Sequence, residues 1–175
     1  MSSPTRRNLL IGLATGFLAV VATKVRDVLP GDPAEGHQML DAESIAIVRL
    51  LAECFIGPDH ALVDIPLEVD HTLAALPEVG ELWRRLPKLI EAAPLLEGYF
   101  SGFTALSPED REKFLMGWAA SERLEKRQIF NGLRALILSH FYFQPASWTA
   151  IGYAGPWVGR MDLPILAPRF PLEVQ

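Results

Sequence analysis

Between residues 42 and 143 the apolar positions return every three or four residues, the spacing that collects them on one face of a helix. Ile45, Val48, Leu51, Ala52 and Phe55, with Leu50 beside them, form the first stripe. Asp41 stands where an N-cap belongs, and Gly57-Pro58 ends the pattern. Pro66 suits a first helical turn, where its missing N–H would be unpaired anyway, and Ile65, Val69, Leu73 and Leu76 keep one face up to Pro77. Val79, Leu82, Trp83, Leu86, Leu89 and Ile90 continue the spacing, with a break or kink predicted at Pro87. The clearest helix start is Ser107-Pro108-Glu109-Asp110: a hydroxyl to cap free amides, a proline that lacks one, and acids at the positive end of the dipole. A long helix over roughly 121–143 carries Leu124, Ile129, Phe130, Leu133, Leu136, Ile137, His140 and Phe141 as a broad buried stripe. No sustained period-two alternation interrupts this, so the predicted fold is mainly α, without an internal repeat.

Both ends depart from the helical period. Residues 27–41 hold Pro30, Gly31, Pro33 and Gly36 and read as a linker. Residues 144–175 carry Pro145, Pro156, Pro164, Pro168 and Pro171, which predicts an extended, proline-stiffened C-terminal segment. Leu163, Ile165, Leu166 and Phe170 make that segment too apolar for an idle tail, so it either wraps its own domain or lies on another protein.

At the other end, residues 1–26 read as a signal segment: a short basic head, the uncharged run Leu9 to Ala22, then Thr23-Lys24-Val25-Arg26. That run is too short for a bilayer, which needs about 20 apolar residues. Thr5-Arg6-Arg7-Asn8-Leu9-Leu10 resembles the twin-arginine export motif, with Arg6, Arg7, Leu9 and Leu10 as the matching positions. The expected organisation is signal segment 1–26, linker 27–41, helical domain 42–143 and extended segment 144–175. Cleavage after Ala22 would remove Arg6 and Arg7 and no acid, taking the net charge from -5 to -7.

Composition narrows the chemistry. Half of the 175 residues are hydrophobic, enough for one domain's core. The acidic balance argues against a nucleic-acid partner, whose phosphates need a basic face. A lone Cys54, within an apolar stripe, reads as a small buried hydrophobe and cannot build a cysteine-rich metal site. There is no G-x-S-x-G elbow, haem attachment motif, dinucleotide fingerprint or P-loop, so no catalytic residue is assigned. Asp59, His60, Asp64, Glu68, Asp70 and His71 are metal-ligand types, but their spacing fits no zinc or calcium template. They read as a solvated acidic turn and helix start, and no metal site is assigned. His140 reads as a packing residue of its helix. Arg123, Arg127 and Arg134 fall within ~40° of one another on the long helix with Lys126 beside them, either a solvated face or a dock for acidic groups. In the stretch from Trp148 to Trp157, glycines permit sharp turns and large rings offer anchors, for a partner or for the protein's own core.

A family resemblance rests on the leader, Leu106-Ser107-Pro108-Glu109-Asp110-Arg111, and Phe141-Tyr142-Phe143-Gln144-Pro145-Ala146-Ser147-Trp148 running into Ile151-Gly152-Tyr153-Ala154-Gly155-Pro156-Trp157. Over the leader and residues 42–157 the chain resembles the gluconate 2-dehydrogenase subunit 3 family. These are small subunits of bacterial membrane-associated flavin dehydrogenases of the glucose-methanol-choline oxidoreductase class. The resemblance implies a non-catalytic, cofactor-free subunit that supplies the export signal and stabilises a large subunit carrying the FAD. It implies as partners that large subunit, the twin-arginine export machinery and a cytochrome c subunit or quinone that takes the electrons. The implied location is periplasmic, at the membrane through the complex or through an uncleaved N-terminal segment. Trp148, Tyr153, Pro156 and Trp157 are the implied interface or core residues. Two other readings of the residues stand beside it: an exported metal-binding protein or enzyme using His60, His71 and nearby acids, and an export chaperone that dissociates after assembly.

Overall fold

The computed structural model describes residues 31–76, 80 and 83–155, and among these it is mainly α-helical with no strand. Six α-helices follow in order: α1 (Ala42–Ile56), α2 (Ile65–Ala74), α3 (Leu86–Leu96), α4 (Pro108–Ala119), α5 (Leu124–Tyr142) and the short α6 (Pro145–Trp148). Single 3₁₀ turns at Pro58–Leu62 and Phe103–Ala105 join α1 to α2 and α3 to α4.

Local chemistry sets the boundaries. The Asp41 carboxylate accepts the Ser44 N–H at 2.8 Å and caps α1. Gly57 ends that helix at φ 79°, a conformation that costs a residue with a Cβ about 1–2 kcal/mol. Asp64 caps α2 and Ser107 caps α4, the latter accepting the Asp110 N–H at 3.1 Å. Pro87 lies in the first turn of α3, so it opens that helix rather than breaking one. Leu76, expected on the inner face of α2, is 51% exposed because the helix stops at Ala74.

The core lies where α1 meets α2, α3 and α5 and where α4 packs on α5. Ile47, Ile65, Ile90, Phe103 and Ile137 are fully buried there. Of the stripe expected on α5, Ile129, Leu133, Ile137 and Phe141 are buried, whereas Leu124 at the first turn is 56% exposed. Phe114 packs between Phe103 and Trp118, at ring-centroid distances of 6.0 and 4.9 Å, and ties α4 to its neighbours. Among the described residues no helix is long and apolar enough to cross a membrane. The signal segment 1–26 lies outside the described residues, as does the linker up to residue 30.

Candidate partner-binding site

The end of α5 changes from inward-facing to outward-facing within two residues. Phe141 is 1% exposed, its neighbour Tyr142 is 44% exposed and Phe143 is 69% exposed. The chain then turns rather than running on extended. Gln144 donates its side-chain amide to the Glu68 carboxylate on α2 at 2.7 Å, Pro145 starts α6, and buried Ser147 hydrogen-bonds the Gln144 carbonyl at 2.8 Å. Trp148 donates its indole N–H to the Tyr142 carbonyl at 3.0 Å. A tight turn through Gly152, at φ 67°, brings the Tyr153 N–H onto the Trp148 carbonyl at 2.8 Å and its ring edge-on to the indole, 5.3 Å between centroids.

The result is an aromatic ledge built from Tyr142, Phe143, Trp148, Ile151 and Tyr153. Its backbone is fixed by hydrogen bonds while Ile151 and Tyr153 remain 49% and 41% exposed. Rigid rings with an apolar body and a polar tip lose little entropy on contact, which suits them to anchor a protein interface. The structure thus brings Trp148 and Tyr153 together, while Pro156 and Trp157 lie outside the described residues.

Other candidate groups have local structural partners. His60 Nδ1 lies 2.8 Å from the Gly57 carbonyl, and His140 bridges its own helix, at Leu136, to Thr72 on α2 at 2.8 Å. Among the described residues no cluster of three or more His, Cys, Asp or Glu could hold a metal ion. Burial raises the pKa of the Cys54 thiol; Glu53 and Glu112 add to this and Arg111 opposes it, which leaves a poor nucleophile. The arginine face of α5 is partly engaged: Arg127 donates to the Ser121 and Glu122 carbonyls, and Lys126 pairs with Glu97 at 2.7 Å.

Two features have no counterpart in the sequence reading. A groove of about 510 Å³ runs between α3 and α5, with Leu89, Leu96 and Ile129 among its apolar lining and Trp118 in its wall. Beside it Leu96 is 84% and Leu95 53% exposed. The other is Asp70, expected in a solvated turn but 0% exposed, whose carboxylate accepts the backbone N–H groups of Gln38, Met39 and Leu40 at 2.8, 2.9 and 2.8 Å. Burial works against its ionisation, but those three donors, helped by nearby His37, outweigh it and hold the pKa below the ordinary carboxylate value. Its position four residues after Pro66 and three before Leu73 marked an acid on the inward face of α2, the one signal that could have found it.

The helical core and the ledge together define a small all-helical protein that presents a fixed aromatic surface. No protein-family model, curated protein or solved structure matches this chain.

Proposed function

We propose that this chain is the non-catalytic small subunit of an exported flavin dehydrogenase of the glucose-methanol-choline class. It would bind the FAD-bearing large subunit through the aromatic ledge and supply the twin-arginine signal that carries the pair to the periplasm. The observation that carries the reading is the ledge itself: rings that a free monomer would bury are held in solvent by their own hydrogen-bonded turns. The leader supports it from the other side, because twin-arginine export moves folded cargo and an escort needs a folded partner in hand. On this reading the oxidation and the FAD belong to the large subunit, and the electrons leave it for a cytochrome c subunit or a quinone at the membrane.

Recovery of the tagged chain from the periplasm of its native host tests this. A bound flavoprotein is expected, and a cofactor-free monomer would contradict it. Replacing Arg6 and Arg7 together by lysine should strand both subunits in the cytoplasm. A large subunit that still leaves the cytoplasm would sink the escort role.

A further inference from the structure

The leader joins the domain through residues 31–41, and this stretch is held by polar groups from two distant parts of the chain and by its own last residue, Asp41. Asp70 of α2 takes three successive backbone N–H groups, from Gln38 to Leu40. Arg84 donates Nε to the Met39 carbonyl and Nη2 to the Gly31 carbonyl, both at 2.9 Å. Asp41 accepts the Gly31 N–H at 3.0 Å with the carboxylate oxygen that also pairs with Lys88 of α3, while its other oxygen caps α1. At Gly31 the fit is close enough that a Cβ would collide with that Asp41 oxygen. Asp70 and Arg84 lie 30 or more residues beyond the groups they hold, so these bonds exist only after the helices have packed.

We propose that Asp70, Arg84 and Asp41 form a latch that couples the leader to the folded state of the domain. In the unfolded chain residues 31–41 simply prolong the leader. Closing the latch anchors residues 31–41, which would otherwise add about 35 Å of extended chain between the leader and Ala42. An export route that accepts folded cargo then meets a short tether on a closed domain only when the latch has formed. Asp41 caps one end of α1, whereas the 3₁₀ turn that packs on α6 follows the other end, about 22 Å away. The ledge is nonetheless rooted near the latch, because Gln144 binds Glu68, two residues before Asp70 on α2. The inference rests on the export reading given above.

The test uses the full chain with Asp70→Asn, Arg84→Gln and, as a variant outside the core, Gly31→Val. Limited proteolysis is read on precursor kept in the cytoplasm by lysines at positions 6 and 7, and export is read by pulse-chase with the natural leader. Each variant should keep its helical circular dichroism, be cut within residues 31–41 about tenfold faster or more, and be exported several-fold more slowly. If Asp70→Asn fails to fold, Gly31→Val decides. Export at the wild-type rate from a chain cut faster within 31–41 would overturn the coupling, and unchanged cutting in both Asp70→Asn and Gly31→Val would overturn the latch. Failure of the export reading looks different: the unaltered chain would stay in the cytoplasm, or leave it regardless of Arg6 and Arg7. The coupling would then fall with it, while the proteolysis still reports whether residues 31–41 are held.

Discussion

Two irregular stretches flank the helices, and each behaves as the other's composition would suggest. Residues 31–41 are polar and rich in Pro and Gly, yet they are fixed to the body by a buried carboxylate and a guanidinium. Residues 142–155 hold the large rings, yet Tyr142, Phe143, Ile151 and Tyr153 face solvent. The difference lies in where the hydrogen bonds run. The first stretch gives Gln38, Met39, Leu40 and Gly31 backbone groups to Asp70 and Arg84, buries Leu40 in the core, and adds bonds of its own from Ala34 to Leu40 and from His37 to Ala34. The second closes its bonds mostly on itself, from Trp148 to Tyr142 and from Tyr153 to Trp148, and so can hold its rings outward without packing them. The first stretch thus lies on the body through long-range hydrogen bonds together with the buried side chain of Leu40, whereas the second keeps most of its rings outward.

Removing the acceptor should damage the first stretch most. Asp70→Ala leaves three backbone N–H groups with no acceptor, and at ~1–3 kcal/mol for each unsatisfied group a loss of about 3–5 kcal/mol in urea unfolding is expected. A loss below about 1 kcal/mol would mean that other contacts hold residues 31–40.

Acid should remove a share of the same stabilisation. The pKa of Asp70 is lowered in the folded state, so its contribution is complete above the unfolded value near ~3.9 and is lost as pH falls through the lower folded value. Asp41 behaves alike: burial opposes its charge, but the Ser44 hydrogen bonds and Lys88 prevail. Unfolding free energies measured from neutral to acid pH should therefore fall, and Asp70→Asn should flatten the slope. An equal slope in both proteins would place the acid sensitivity elsewhere.

The second stretch should respond less, and in a different observable. Trp148→Ala removes one hydrogen bond and one ring pair, about 2 kcal/mol together. Phe143→Ala, at a ring 69% exposed, should leave the monomer within about 0.5 kcal/mol of the parent. The same change should weaken partner binding about tenfold or more if the ledge anchors the large subunit. A destabilised monomer with unaltered binding would reverse the assignment and make Phe143 a packing residue.

The features legible in advance are those written in neighbouring letters. Asp41 and Ser107 as caps, Gly57-Pro58 as a stop and the long helix ending near Phe143 all depend on residues within a turn or two of one another. The break or kink expected at Pro87 does not occur, because the same ring that breaks a helix interior suits a first turn and the helix starts at Leu86. Trp148 and Tyr153, singled out as interface or core residues, meet ring to ring because the turn through Gly152 brings them together. For Asp70 only its inward position on α2 was legible; its partners are backbone amides some 30 residues away that leave no trace in residue identity. The spacing of Arg127 and Lys126 leaves a solvated face or a dock for acidic groups open, and it does not foretell that the Ser121 and Glu122 carbonyls just before α5 and Glu97 engage them.

Whether the ledge binds a flavoprotein is read by native mass spectrometry of the complex released gently from the host's periplasmic fraction. This chain is expected bound to one larger subunit that carries flavin, with the pair lost when Phe143 and Tyr153 are both replaced by alanine. The chain alone, without flavin, or a pair that survives the double replacement intact, would contradict it.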